Sequence, residues 1–211
     1  MRSRSGLFQG RYLFHLHTVA TDGALAVEDY FRFAREAQYQ HLIFLEHIRT
    51  CPLYDVDAFA AAVREAAARY SVRASVGFEA KVLPDNTLDI SAAHFRMADV
   101  IGIAEHGFRG GPDQLVHALE CCFARYSQES GPAELVWVHP GLGFQKKGVL
   151  EKEHGRYASL LQRAQEQGIL IERNLRYGLC KSAIYNSLPA DAKVIGLDCH
   201  TMNDLTSKVC C

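Results

Sequence analysis

Histidine and acidic residues recur in this sequence at the ends of short apolar segments. The side chains in question are His15, His17, His47, Glu79, His106, His139, Glu172, Asp198 and His200. Imidazole and carboxylate groups can bind transition metals or transfer protons. Six of the ten histidines occupy such segment ends, which indicates a shared site rather than scattered structural roles.

The densest of these positions is the stretch YLFHLHTVATDG at 12–23. On a β-strand, residues i and i+2 point to the same face, so His15 and His17 are expected to lie side by side. Asp22 follows in the same stretch and adds a carboxylate. Taken alone, the stretch is equally compatible with an edge strand whose polar residues face solvent.

Apolar segments and helical patterns alternate along the whole chain. Strands are predicted at 11–17, 41–47, 72–79, 99–106, 134–140, 168–174 and 192–200. Helices are predicted at 26–38, 56–70, 111–129 and 151–167. Seven strands alternating with helices in a single domain of residues 1–211 predict a barrel or barrel-like sheet of parallel strands. The carboxyl ends of its strands converge, so the histidines and acids are expected to meet at one mouth.

The number of candidate ligands exceeds what one four-coordinate ion needs. Two or three divalent metals are therefore expected, and the mixture of imidazole and carboxylate suits manganese, zinc or iron. Two roles remain open for Glu172 and Asn174. They can hold the metal ligands in position through hydrogen bonds, or they can have a purely structural role.

Composition limits the classes of partner. The chain has 48% hydrophobic residues and a formal net charge of −1, with no basic stripe. This argues against binding of extended nucleic acid but is compatible with a small phosphorylated molecule. Seven cysteines without a CxxC motif predict reduced thiols. No apolar run approaches the roughly 18 residues of a membrane span, so we expect a soluble, cytoplasmic protein.

The motifs and their order resemble those of the polymerase and histidinol phosphatase (PHP) superfamily. They are HLHTVATDG at 15–23, Leu45-Glu46-His47, GFEAKVL at 77–83, DVIGIAEH at 99–106, His-Pro-Gly at 139–141, Glu-x-Asn at 172–174 and Asp-x-His at 198–200. The resemblance covers nearly the whole chain. It implies an α/β fold of the distorted (β/α)7 TIM-like barrel type, holding up to three metals.

The resemblance also implies which residues bind each metal. The first set is His15, His17, Glu79 and Asp198; the second is Glu79, His106 and His139; the third is Asp22, His47 and His200. Glu79 is then a bridging ligand, and catalytic roles fall to Glu79, Asp198 and His200.

Two features depart from the family pattern. Glu46 stands where the family has aspartate, so its contact behind the metal ligands is in doubt. The sequence given also ends eleven residues after His200. A long closing helix is then expected to be short or absent, and a partner subunit in a homo-oligomer can cover that side.

The implied chemistry is hydrolysis of a phosphate ester by a hydroxide that bridges two metals. A cationic side chain near the mouth would help to bind phosphate, and the candidates are Arg49, Arg109 and Arg176, with Lys146 and Lys147 as weaker ones. No side-chain nucleophile is needed, and Cys199 is interpreted as a core residue. His117 and His154 are expected at the surface.

Several functions remain open at this point. The leading hypothesis is a metal-dependent phosphoesterase acting on a small phosphorylated substrate. An exonuclease or nucleotide phosphodiesterase is the alternative, and a histidinol phosphatase is a further one. A non-catalytic metal-binding regulatory domain is disfavoured because all nine ligand positions are filled. An amidohydrolase ranks last, since no lysine is evident at a strand end.

Overall fold

The computed structural model describes residues 6–129, 131, 134–180 and 182–209. The strands are β1 (Tyr12–Leu16), β2 (His41–Ile48), β3 (Arg73–Lys81), β4 (Val100–Ala104), β5 (Glu134–Trp137), β6 (Leu170–Asn174) and β7 (Lys193–Gly196). The α-helices are α1 (Val27–Glu36), α2 (Val56–Tyr70), α3 (Ala92–Met97), α4 (Pro112–Gln128), α5 (Leu142–Lys146), α6 (His154–Glu166), α7 (Ser182–Ser187) and α8 (Met202–Val209).

The seven strands form one parallel sheet in sequence order, from β1 to β7. The sheet curls so that the segment after β7 returns to β1. Leu197 N donates to Phe14 O over 2.9 Å, and His17 N donates to Cys199 O over 3.0 Å. These bonds nearly close the sheet into a barrel and confirm the predicted (β/α)7 TIM-like architecture.

Two apolar layers hold the barrel together. The inner layer fills its interior and consists of Phe14, Ile43, Leu45, Val100, Ala104, Val136, Val138, Leu170 and Val194. The larger outer layer lies between the strands and the helices and includes Phe44, Phe78, Ile101 and Trp137. Burial of this much apolar surface on both faces is what a parallel sheet requires.

The four long predicted helices are all present; α2 has its predicted bounds, and the other three are shorter at both ends than predicted. Asp55 starts α2 by accepting a hydrogen bond from Ala58 N over 2.9 Å, and Pro112 is the first residue of α4. The short helices α3, α5, α7 and α8 were not predicted. Most of them run for less than two turns, and such short segments carry little helical periodicity.

No helix among the described residues is long and apolar enough to cross a membrane.

Candidate metal centre

Glu79 lies at the centre of a buried cluster at the carboxyl end of the barrel. Its two oxygens face different histidines. Oε1 lies 3.1 Å from Nε2 of His139 and 3.3 Å from Nδ1 of His106. Oε2 lies 3.2 Å from Nε2 of His15, 3.4 Å from Nε2 of His17 and 3.5 Å from Nδ1 of His47. One carboxylate thus lies next to five histidines from four segments of the chain.

All nine predicted ligands lie in this cluster. They form four overlapping groups in which each residue offers one ligand atom within 4.8 Å of the others. The groups are His17, Asp22, His47 and His200; His15, His139 and Asp198; His15, His17 and Glu79; and Glu79, His106 and His139. The cluster can therefore hold metal ions. The grouping differs from the expected sets in two respects: His17 also lies with Asp22, His47 and His200, and Asp198 lies with His15 and His139 rather than with His17 and Glu79.

Backbone conformation aims three of these side chains at the mouth. His15, His139 and Asp198 have positive φ angles of 69°, 32° and 50°. Residues other than glycine rarely adopt this left-handed region, and such conformations concentrate at functional sites. At His15 the strand register shifts between Phe14 and Leu16, as in a β-bulge.

The bulge changes the reason why His15 and His17 are neighbours. If side chains alternated regularly along β1, Phe14 would point to the opposite face of the strand from both histidines. Phe14 instead lies in the inner apolar layer, on the same side as the histidines. The left-handed turn at His15 rotates its ring to the same side as Phe14 and His17. The ring centroids of the two histidines are 5.0 Å apart, so the expected proximity is present although alternation does not produce it.

Several ring nitrogens in the cluster are buried and lack a hydrogen-bond partner. They are both nitrogens of His17 and the Nδ1 atoms of His47, His106 and His139. Buried polar atoms almost always find a partner, so unpartnered nitrogens around one carboxylate need an explanation. Metal ions would supply it, since a neutral imidazole has one lone-pair nitrogen, and Nε2 of His17 and the Nδ1 atoms of His47 and His106 lie within 3.5 Å of Glu79. On this test, the residues fit a metal centre.

Metal binding needs neutral imidazoles and ionised carboxylates, and the electrostatics of the cluster meet this need in part. Burial opposes charge on His15 and His47, but the carboxylates of Glu172 and Asp22, respectively, raise the pKa of these two imidazoles above the usual value. Burial lowers the pKa of His106 to about 4. Burial and the neighbouring His15 lower the pKa of His17 well below its usual range. Burial opposes ionisation of Glu79, but the surrounding imidazoles, led by His139, hold its pKa well below the usual value.

Glu172 and Asn174 form hydrogen bonds with candidate metal ligands. Glu172 is fully buried, and its Oε1 accepts from Nδ1 of His15 over 2.6 Å while its Oε2 accepts from the backbone N of His139 over 2.5 Å. Nδ2 of Asn174 donates to Glu172 over 3.1 Å and to Asp198 over 3.2 Å. Of the two roles left open by the sequence, these contacts favour the orientation of ligands.

Glu46 contacts the loop after β1. Its Oε1 accepts from the backbone N of Thr18 over 2.6 Å, and its Oε2 accepts from the hydroxyl of Thr21. This loop carries Asp22. The longer side chain therefore has a defined contact, in which it anchors the segment that supplies one of the candidate ligands.

Glu105 is a site residue that the sequence analysis missed. It is fully buried, and it accepts from Nε1 of Trp137 over 2.7 Å, from Gly141 N over 2.7 Å and from Gly143 N over 3.1 Å. The last two donors lie on the turn that follows His139. The signal in the sequence is an acid at the end of an apolar strand, directly before His106.

The cleft above the cluster has two lobes that share Asp22, His47 and His106. We call the first the inner lobe; it has a volume of about 480 Å³ and is lined by Lys146, Arg176 and Tyr177, among others. The second, which we call the outer lobe, has a volume of about 440 Å³. Each is within the size range of small-molecule sites.

Of the three arginines predicted to bind phosphate, two line the cleft and one does not. Arg176 lines the inner lobe, where its Nη1 donates to Nδ1 of His200 over 2.6 Å and to Asp198 O over 3.2 Å. Arg49 lines the outer lobe. Arg109 is exposed and lines neither lobe, so the structure does not bring it to the site. Lys147 donates to the carbonyl oxygens of Phe108 and Gly110 instead.

The remaining histidines and Cys199 lie outside the chemistry of the cleft. His41 is buried and contacts Leu7 O and Ser75 Oγ at 2.8 and 3.0 Å. His117 lies on α4 next to Cys121. Cys199 is buried in the outer apolar layer, and burial raises the pKa of its thiol to about 11, as expected for a core residue.

Comparisons with known proteins give the chain no family. No family model matches it, and no curated protein matches it. Among solved structures, it is similar to the crystal structure of phospho-2-dehydro-3-deoxyheptonate aldolase (DAHP synthase) from Thermotoga maritima, with 17% identity and a TM-score of 0.35. The match covers 79% of this chain and 43% of that one, so the chain spans less than half the length of the enzyme. A similarity at this level carries no argument about function.

Proposed function

We propose that the protein is a metal-dependent phosphoesterase that hydrolyses a small phosphorylated substrate. The observation that carries the proposal is the position of Glu79, whose two oxygens face two different sets of histidines. A carboxylate in this position suits a bridge between two metal ions, an arrangement that recurs in hydrolases of phosphate esters. The motif series from 15 to 200 supports the same chemistry through its resemblance to the PHP superfamily.

The ligand groups suit two or three divalent ions of manganese, zinc or iron. One ion would be held by Glu79, His106 and His139, and another by Asp22, His47 and His200. The further set that the resemblance implies is His15, His17, Glu79 and Asp198, of which the first three group together while Asp198 groups with His15 and His139. When bound, such ions lower the pKa of coordinated water and neutralise charge on a phosphoryl group.

The protein's own side chains would bind the substrate and handle protons. Arg176 lines the inner lobe, where its guanidinium can donate to phosphate oxygens. Oδ1 of Asp198 lies 3.3 Å from Nδ1 of His200, and this carboxylate can accept a proton from attacking water. No nucleophilic side chain is needed, since Cys199 faces the core.

The test is phosphate release from a panel of phosphomonoesters and nucleotide phosphodiesters. The protein is first stripped with a chelator and then reloaded separately with manganese, zinc or iron. We expect turnover that depends on the metal, and the ratio of monoester to diester hydrolysis separates a phosphatase from a nucleotide phosphodiesterase. Tight metal binding without turnover of any ester would contradict the proposal and favour a regulatory metal-binding domain.

A further inference from the structure

The outer lobe extends the cleft beyond the metal centre. It opens between His47 and His106, and the loop from Arg49 to Tyr54 forms one wall. This loop is held in place, because Thr50 donates from both its backbone N and its hydroxyl to Oδ1 of Asp89, each over 2.9 Å. The lobe is therefore a built concavity adjoining the centre.

Two cations line this lobe without a counter-charge. Arg49 is exposed and Lys81 is half-buried, and neither forms an ion pair with any described residue. Asp22 is the acidic side chain in the lining, and it is already engaged by His47 at 3.2 Å and by His200 at 3.4 Å. A positive lining of this kind attracts an anion.

Lys81 is placed by the same strand as the bridging carboxylate. It follows Glu79 by two residues on β3, so both side chains leave the same face of the strand. Lys81 was not among the predicted site residues, although it is a lysine at a strand end.

The loop wall of the outer lobe is apolar. Leu53 is 86% exposed, more than any other large apolar side chain among the described residues, and it lies between Pro52 and Tyr54. An exposed leucine at the rim of a cleft suits contact with the carbon skeleton of a ligand.

We propose that the outer lobe binds a second anionic group of the substrate, with Lys81 and Arg49 as its contacts and Leu53 against the carbon skeleton. This inference rests on the proposed function and narrows the substrate class. The substrate is then a phosphate ester whose non-reacting part carries another negative charge, either a second phosphate or a carboxylate. Charge-assisted hydrogen bonds from lysine and arginine recognise both groups.

The experiment compares matched substrates that differ in the second charge. 3-Phosphoglycerate is paired with glycerol 3-phosphate, and fructose 1,6-bisphosphate with fructose 6-phosphate; p-nitrophenyl phosphate is the reference ester. The readout is kcat/KM for each two-anion substrate divided by kcat/KM for its partner without the second charge, and p-nitrophenyl phosphate reports turnover that does not involve the outer lobe. The carboxylate and phosphate pairs distinguish the two sources of charge.

The variants are Lys81→Gln and Arg49→Gln. The control is Arg73→Gln, because Arg73 is an exposed cation at the opposite end of the same strand as Lys81. We expect each cleft variant to lower the ratio by about tenfold or more, the loss of one charge-assisted hydrogen bond. The control should leave the ratio unchanged.

The outcomes separate the two proposals. A ratio that is unchanged in both cleft variants, with p-nitrophenyl phosphate still turned over, would overturn the outer-lobe assignment alone. Absence of turnover on every ester would overturn the proposed function. In that case the outer-lobe assignment is tested by calorimetric titration of the chelated protein with the two-anion compounds. Weaker binding of these compounds to Lys81→Gln than to the parent supports the assignment, and equal binding overturns it.

Discussion

Nδ1 of His15 lies 2.6 Å from Oε1 of Glu172, and both side chains are fully buried. The other oxygen of Glu172 accepts from the backbone of His139, so one carboxylate fixes two candidate ligands from opposite sides of the barrel. The bond to Nδ1 leaves Nε2 of His15 facing Glu79. This orientation of the imidazole is the one that a metal at Glu79 requires.

Replacement of Glu172 by glutamine should therefore weaken metal binding. The amide nitrogen would meet an N–H donor from His15 or His139, and loss of such an orienting partner costs about 10–100-fold in metal affinity. Calorimetric titration of the chelated protein with manganese or zinc measures the change. Unchanged affinity in a folded Glu172→Gln protein would show that His15 does not depend on this contact.

Removal of a central ligand should abolish activity without unfolding the barrel. We expect His15→Ala and Glu79→Ala to lose metal-dependent turnover and to bind fewer metal ions, while the far-UV circular dichroism stays nearly unchanged. His117→Ala is the control, because this histidine lies on α4 away from the cleft. Full activity in both cluster variants would refute the assigned site.

Gly196 is required by the close approach of Glu172. A Cβ at this position would overlap the carboxylate of Glu172, so Gly196→Ala should displace that side chain and weaken metal binding. The control is Gly155→Ala in α6, where a Cβ meets nothing within 4 Å. There the free energy of unfolding should be unchanged or higher by up to about 1 kcal/mol. Equal metal affinity in both variants would contradict the expectation.

The bond between Glu105 and Trp137 should show up as coupling in a double-mutant cycle. Glu105→Gln places an amide donor against the indole N–H, at an expected cost of about 1–3 kcal/mol in unfolding free energy. Trp137→Phe removes the indole donor. The double variant should therefore lose less than the sum of the two single variants. Urea denaturation measures all four proteins, and strict additivity would exclude the coupling.

Asp204 should confer stability that depends on pH. It forms a capping box at the start of α8, where its Oδ2 accepts from Thr201 N over 3.0 Å and its own N donates to Thr201 Oγ1 over 3.2 Å. Burial acts to raise its pKa, but hydrogen bonds from His200 N, Lys208 and Thr201 lower it from 3.8 to about 2. A carboxyl group with a lowered pKa stabilises the fold above its unfolded pKa and loses that effect as pH falls.

The comparison is between the metal-free parent and Asp204→Asn. Their difference in unfolding free energy, up to about 1 kcal/mol for a negative charge in the first turn of a helix, should be full above pH 3.8 and decline as pH approaches about 2. Denaturation with urea at a series of pH values gives the curve. A difference that does not depend on pH would mean that the charge of Asp204 is not involved.

Local sequence was enough to predict the fold class and the membership of the cluster. Alternating apolar segments and helices specify a parallel sheet, and the carboxyl ends of its strands must share one edge. His47, His106 and His139 could therefore be assigned to the site without coordinates. Short helices such as α8 escaped prediction, although Thr201 and Asp204 carry its capping signal.

Side-chain direction and long-range contacts were decided only by the tertiary structure. The bulge at His15 depends on closure of the barrel between β1 and the segment after β7, because its carbonyl accepts from Cys199 N over 2.9 Å. The contact of Glu172 with His15 joins residues 157 positions apart. Arg49 and Arg109 look alike in sequence, yet only Arg49 lines the cleft. Residue type and strand position are local properties, whereas ring orientation and charge pairing follow from how the closed barrel packs.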